Sequence, residues 1–486
     1  MLSESKERPA LSPLTISLPV EILQEIFCRC LPPQPQLQAK PRTLSSAFGQ
    51  QQTPETAPLL LCHVSRLWRE IAVSCPFLWR RLDVLISNGI ARPPVALISL
   101  WLSRSGGLPL YLSLYQQNDS EESCVATGEV LDVFKQFTNR WYHVQFDLKG
   151  PKYCRLFTSD ERSAPMLRTF CISTCSPAYD ESNVLCDILE FVPSLVDLHV
   201  SRIPGLTVLG DTSYSVPWWQ LESLSLEYVP SIGTSLLLLD KCPKLVNVMF
   251  KIDTPLGPLS FQPCRSNLQS LTINIGHSEL EAFLDHAQLP LLETLVVYIR
   301  GSLDRYHWPQ VIFQHFLHRS GCWLRHFEIH NSGMESHDFN ACLQNVYMQK
   351  LVELVVDERQ HWTWDPFLTD VALDLLTCTP SNHRYFGPTA VASRSEEGSN
   401  QGTEMAVIGP RNILPCLKSI AFRGGCLSAA DGALASMVES RWRYWKYNGV
   451  EKLCRVELEL RSSHTEDSKR LLKFREEGLE LEARVW

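Results

Sequence analysis

The chain has 486 residues, 44% of them hydrophobic and 20% charged, with 45 Lys+Arg against 53 Asp+Glu for a formal net charge of −8. The acidity argues against a general nucleic-acid or anionic-membrane binder, and the apolar content argues against wholesale disorder. Seventeen cysteines, an odd number with no CxxC, read as small buried hydrophobes and not as a disulfide or metal framework.

Residues 1–14 are polar, lack the apolar stretch of a signal peptide, and read as a flexible tail. The Leu236–Leu239 run stops at Asp240, and nothing approaches the 18 apolar residues of a membrane span. The expected address is cytoplasm and/or nucleus. Leu18-Pro-Val-Glu-Ile-Leu-Gln-Glu-Ile-Phe27 predicts a first helix. Pro19 suits an early helical position, Glu21 complements the helix dipole, and Ile22, Leu23, Ile26 and Phe27 make an apolar stripe. Residues 33–57 are rich in Pro and Gln and read as a loop insertion. A second helix is predicted over Leu59–Ala72, with Leu60, Val64, Trp68, Ile71 and Ala72 on one side. Cys75-Pro76 ends it, and Phe77-Leu78-Trp79 follows as an anchor.

The order Leu-Pro-x-Glu-Ile-Leu, Ile-Phe, Val-x-Arg-x-Trp-Arg-x-Ile-Ala and Pro-x-Leu-Trp resembles an F-box, in the form common in fungal F-box proteins, over residues 15–84. Ser65 stands where a Cys is frequent, and the 33–57 loop is longer than in compact versions, a small entropic cost. The resemblance implies a three-helix, all-α module that docks on the Skp-type adaptor of an SCF (cullin–RING) ubiquitin ligase. The contact it implies runs through Leu18, Pro19, Ile22, Leu23, Ile26, Phe27, Leu60, Val64, Trp68 and Ile71, with Trp79 joining the box to the rest. Independently, two short helices with so many large apolar side chains cannot bury them all against each other, which leaves a patch for a partner or for the chain's own following domain.

Beyond residue 84 one pattern recurs, an apolar residue at i, i+3 and i+5. It starts at Trp141, Leu167, Leu195, Leu221, Leu245, Leu268, Leu292, Leu324, Leu351, Leu417 and Leu453. At this apolar content such triplets also arise by chance. Three features add weight: the first residue is Leu in ten of eleven cases, five are preceded by Pro-x (Pro165, Pro193, Pro243, Pro290, Pro415), and helical patterns fill the intervals. Those helices are predicted at Glu181–Phe191, Ser278–His286 (with Ser278 and Glu281 as a capping box), Pro309–His318 and Pro366–Leu376. The expected fold class is α+β, the small F-box followed over 85–486 by an irregular leucine-rich-repeat-like α/β solenoid. The family's Asn or Cys ladder is nearly absent, so a less repetitive α/β domain is the alternative. A second loop insertion is expected at about 379–412, and a C-terminal cap at about 427–486.

Several constellations read more plainly as structure. Arg441-Trp-Arg-Tyr-Trp-Lys-Tyr447 interleaves basic and aromatic groups but suits a helix end with its rings turned inward. Cys322, His326 and His330, with His315 and His318 nearby, suggest zinc only superficially, because His326 and His330 on one strand face lie about 13 Å apart. No catalytic motif is found; Gly106-Gly107 reads as a turn. The expectation is a non-enzyme with no cofactor or metal, bound to the adaptor, through it to the cullin–RING ligase, and to an unknown protein substrate, with no membrane and no nucleic-acid role. A repeat-based protein-binding scaffold outside ubiquitination is the alternative function. Glu222, Ser223, Ser225, Glu293, Thr294 and Glu353 are expected on the exposed sheet face.

Overall fold

A computed structural model describes residues 18–31, 55–149, 163–174, 192–201, 216–229, 231–252, 262–300, 308–359, 367–379 and 412–485. The expected tail at 1–14, the helix at 181–191 and nearly all of both insertions lie outside them. The fold is mixed α/β with mostly parallel sheet. The chain divides into two compact units, Met1–Tyr228 and Val229–Trp486.

The first unit opens with α1 (Val20–Arg29), α2 (Leu59–Val64), α3 (Arg66–Val73) and a 3-10 turn at Pro76–Trp79. Strand β1 (Arg81–Ser87) starts inside the segment assigned to the box, and pairs antiparallel with the short β2 (Ile90–Arg92). Next come α4 (Val95–Arg104), β3 (Leu110–Gln116), α5 (Glu121–Lys135), β4 (Trp141–Leu148), β5 (Thr169–Thr174), β6 (Asp197–Ser201) and β7 (Ser223–Val229). From β1 through β3 to β7, each strand lies parallel to the next in chain order.

In the second unit, β8 (Asn247–Ile252), β10 (Ser270–Gly276), β12 (Thr294–Arg300), β13 (His326–His330), β14 (Glu353–Asp357), β15 (Ser419–Arg423), β16 (Arg455–Leu460) and β17 (Glu480–Val485) are parallel throughout. A separate parallel pair joins β9 (Cys264–Arg265) to β11 (Ala287–Gln288). The helices Ile232–Lys241, His277–His286, Gln310–Ser320, Ser336–Gln344, Asp370–Leu376, Ala433–Trp442 and Thr465–Glu476 fall between strands, each packed on a neighbour in the series.

The i, i+3, i+5 pattern acquires a physical meaning here. Its first residue enters each strand from a turn, and the other two point inward one pleat apart, as a period of two requires. They register strand to strand. Leu82, Leu112, Val144, Phe170, Leu198 and Leu224 form one ladder in the first unit. Val248, Leu271, Leu295, Phe327, Leu354, Ile420 and Val456 form one in the second. All of these are buried, as is every first residue from Trp141 to Leu453. Three strands of the parallel series fall outside the eleven triplets. β1 follows Trp79/Leu82/Val84, which has the same spacing, while β3 and β17 enter from Pro109 and Gly478 and lack an apolar first residue, although residues 479–485 read as strand-like from the sequence.

Two local expectations need correction. The second helix is not continuous over 59–72. Ser65 adopts an extended conformation (φ −158°, ψ 167°), and its hydroxyl accepts a hydrogen bond from the Trp68 backbone N–H. A serine offering its own oxygen to the backbone competes with helix continuation and starts a new helix instead. The Ser278/Glu281 capping box does not form, because the helix begins one residue earlier at His277, and the Ser278 hydroxyl bonds Glu279.

Candidate docking surface

The break at Ser65 decides which side chains of the N-terminal helices face solvent. Leu61 of α2 and Ile71 and Ala72 of α3 are buried, together with Leu23 and Phe27 of α1. The Phe27 and Trp68 rings meet at 4.9 Å, and Arg69 Nε donates 2.8 Å to the Cys62 carbonyl, tying α3 back to α2. Trp79 is fully buried, donates from Nε1 to the Ala72 carbonyl at 2.8 Å, and meets the Trp101 ring edge-on at 4.9 Å. The Arg104 guanidinium lies 4.7 Å over Trp79, and Trp101 Nε1 donates to the Arg81 carbonyl. The helices are thereby fastened to the first strand and to α4.

Large apolar side chains remain outside alongside the charged ones. Leu18, Ile22 and Ile26 on the α1 side, Leu60 and Val64 of α2, with Val20, Leu67 and Phe77, are 38 to 51% exposed. Of the ten residues expected at the partner contact, Leu18, Pro19, Ile22, Ile26, Leu60 and Val64 are exposed. Trp68 is half-buried, and Leu23, Phe27 and Ile71 belong to the core beneath. Those last three hold the surface in shape and do not form it. Sequence reasoning missed Val20, Leu67 and Phe77. The i, i+4 spacing could pair Ile22 with Ile26 and Leu60 with Val64, but it gave no sign of the helix break at Ser65 that separates α2 from α3.

A second constellation lies on the outward face of the second unit's sheet. Glu328 bridges two imidazoles, its Oε2 3.2 Å from His326 Nε2 and its Oε1 2.8 Å from His330 Nε2. Glu353 reaches His326 Nδ1 at 2.9 Å. Both ring nitrogens of His326 thus face carboxylates, which only accept hydrogen bonds, so the doubly protonated ring fits. Burial works to lower the His326 pKa, but the bonds to Glu328 and Glu353 outweigh it and raise it to about 9. The same bonds hold the Glu328 carboxyl well below its ordinary range despite burial. The array continues through Asp357 and Arg359 (2.6 Å) to Arg423 and Glu457 (2.5 Å). His326 and His330 share a face as expected, with the Glu328 carboxylate between them. Cys322 is buried, and burial pushes its thiol up to about 11.

Among the described residues, Asp431, His464 and Asp467 bring ligand-type atoms close enough for a cation. Those atoms are engaged in capping. Asp431 accepts from the backbone N–H groups of Glu466 and Asp467, and Asp467 accepts from Ala435 N–H and from His464 Nδ1. Each carboxylate covers the N-terminus of the other's neighbouring helix, the stabilising place for negative charge. In the basic–aromatic run, Arg441 is fully buried and Trp442 nearly so, Arg443 pairs with Glu439 and Glu477, and Lys452 covers the Trp442 ring at 3.5 Å. Trp442 turns inward as expected, but Tyr444 is exposed, and Arg441 is buried where the helix-end reading puts an arginine in water, because backbone carbonyls take its N–H groups.

No family model matches the chain, and no curated protein matches it. Among solved structures, a crystallised protein from Bacteroides fragilis is similar over 53% of this chain and 74% of its own length. It shares 16% identity at a TM-score of 0.28, too loose to bear on fold or function. No helix among the described residues is long and apolar enough to cross a membrane.

Proposed function

We propose that the chain is the substrate-recognition subunit of an SCF cullin–RING ubiquitin ligase. Residues 15–84 act as a three-helix F-box that holds the Skp-type adaptor. The strands and helices beyond act as an irregular leucine-rich-repeat solenoid that presents a target protein. The supporting observation is the exposed apolar set Leu18, Ile22, Ile26, Leu60 and Val64, carried by helices whose residue order resembles an F-box and whose own core is already complete without it. Each such side chain, already about half covered, gains roughly 1 kcal/mol when a partner removes the rest from water, which makes the set a binding surface in waiting.

In this mechanism the chain does no bond chemistry. It raises the effective concentration of the target near the ubiquitin-charged enzyme recruited elsewhere in the complex. The Trp79–Trp101–Arg104 cluster keeps the box from swinging on a loose hinge. The test is reconstitution with purified adaptor, cullin–RING core and ubiquitin enzymes, with ubiquitin-remnant profiling of host proteins with and without the chain. Gain of ubiquitinated targets supports the reading. Adaptor binding with unchanged ubiquitination of every associated protein favours the scaffold alternative, and absence of adaptor binding removes the F-box reading and leaves a plain repeat-based binding protein.

A further inference from the structure

The turns that lead into β13, β14, β15 and β16 stand in register, because His326, Glu353, Ser419 and Arg455 pair from strand to strand. Backbone bonds tie each turn to the one before: Val352 N–H donates to the Arg325 carbonyl at 2.7 Å, Lys418 to Val352 at 2.8 Å and Cys454 to Lys418 at 2.7 Å. Residues at equal distance from their strands therefore stack in rows. Arg325, Val352, Lys418 and Cys454 form one row; Trp323, Lys350, Cys416 and Lys452, two residues earlier, form the other. These turns carry four cations against one carboxylate, Glu451, on a chain of net charge −8. Arg325, Lys350 and Lys418 are exposed, and Lys452 is half-buried. Two of the lysines rest on indole rings, Lys350 Nζ 4.5 Å over Trp323 and Lys452 Nζ 3.5 Å over Trp442. A ring face holds an ammonium in place without cancelling its charge. Lys418 Nζ lies 3.5 Å from Glu451, but both are about half exposed, where such a pair contributes little. Among the described residues no carboxylate pairs with Arg325 or Lys350.

We propose that this strand-entry edge of the second unit binds an acidic segment of the target protein, its carboxylates meeting Arg325, Lys350, Lys418 and Lys452. The proposal names the substrate class for the target-presenting role given above and rests on that reading. Neighbouring strands lie about 4.8 Å apart, so the four turns span about 14 Å, the reach of about four extended residues. The next turn, into β12, places Leu291 and Glu293 at the same two positions, which ends the basic run. Leu291 is exposed, as is Trp323 beside it in the row, so an apolar residue next to the acidic ones finds a place to pack. Charge complementarity chooses this occupant over a nucleic acid. A phosphate backbone needs a longer basic track and free ring faces for its bases, whereas here lysines already cover Trp323 and Trp442.

The full-length chain, without adaptor, is titrated into the fluorescein-labelled peptide Phe-Asp-Glu-Asp-Glu and followed by anisotropy. Binding should saturate, weaken as salt rises, and exceed that of the Phe-Asn-Gln-Asn-Gln peptide by about tenfold or more. Arg325→Glu plus Lys350→Glu should lower it by about tenfold or more, and Arg325→Gln plus Lys350→Gln by a smaller factor, with circular dichroism unchanged. Arg484→Glu, at an exposed arginine near the far end of β17, should leave it unaltered. The proposal is overturned if the acidic peptide does not bind, if both folded double variants bind it as wild type does, or if a labelled oligothymidylate of equal length binds more tightly. Because no adaptor takes part, a chain that binds adaptor but not peptide loses this proposal alone. One that binds peptide but not adaptor loses the F-box reading alone.

Discussion

Arg441 sits fully buried, its Nε donating to the Leu376 carbonyl at 2.6 Å, Nη1 to Leu414 at 3.0 Å and Nη2 to Ile413 at 2.8 Å. Burial lowers its pKa, yet an arginine stays charged. Each carbonyl stripped of its donor costs about 1–3 kcal/mol. Arg441→Leu is therefore expected to destabilise the second unit by about 3 kcal/mol or more, read from urea unfolding; a loss under about 1 kcal/mol would mean the carbonyls find other donors. His326 gives a pH test on the same unit. Its pKa is raised from the ordinary 6.5 to about 9, so its stabilisation is complete below about pH 6.5 and disappears as pH rises through about 9. Wild type should lose more stability than His326→Gln between pH 7 and pH 9.5, and equal losses would contradict the carboxylate clamp. His143 runs the other way. Burial first, then Arg81, lowers it to about 4, so the folded state prefers the neutral ring and loses stability as pH falls below about 6.5. Acidifying from pH 7 to 5 should cost the first unit roughly 2 kcal/mol, a loss that His143→Phe abolishes. The sequence placed His326 and His330 on one face, and the period of two puts Glu328 between them, but Glu353, which completes the clamp on His326, comes from a neighbouring strand that single-chain spacing does not reveal.

The short elements owe their limits to single polar residues. Ser65 ends α2 and caps α3, so Ser65→Ala should cost about 1 kcal/mol and Ser65→Gly only a few tenths, measured as shifts in the first unit's unfolding free energy. No loss in Ser65→Ala would mean that the Trp68 N–H bond is not what starts α3. Gly424, at φ +83°, marks a different limit: a Cβ there would stand 2.3 Å from backbone atoms of Glu358 and Arg359, so only glycine fits beside that turn. The residues that bound the second insertion are tied together, Asn412 both accepting from the Thr379 N–H and donating to its carbonyl. Replacing residues 382–409 with a short Gly/Ser linker should therefore leave the melting temperature within a few degrees of wild type. Strands were legible because their burial period is two and their Leu entry repeats. Helix starts were not, because any Ser, Asp or preceding residue can take the cap, and tertiary partners such as Asp431 and Asp467 decide which does.

At the scale of the whole molecule, repetition was the readable feature and the binding surface the less readable one. Eleven triplets fall on successive strands, since each turn must bury the same three positions whatever else it carries. The exposed apolar set follows no comparable rule. Ile22 and Leu23 are adjacent in sequence and equally apolar, yet one faces water and the other is core. That contrast supplies the most direct measurement. Isothermal titration of the full-length chain with purified Skp-type adaptor should give a tight complex for wild type. In the double variant Ile22→Asp plus Ile26→Asp, affinity should fall at least a hundredfold, with circular dichroism and melting temperature unchanged. A well-folded double variant that binds as wild type does, or a wild-type chain that binds no adaptor at all, would contradict the account.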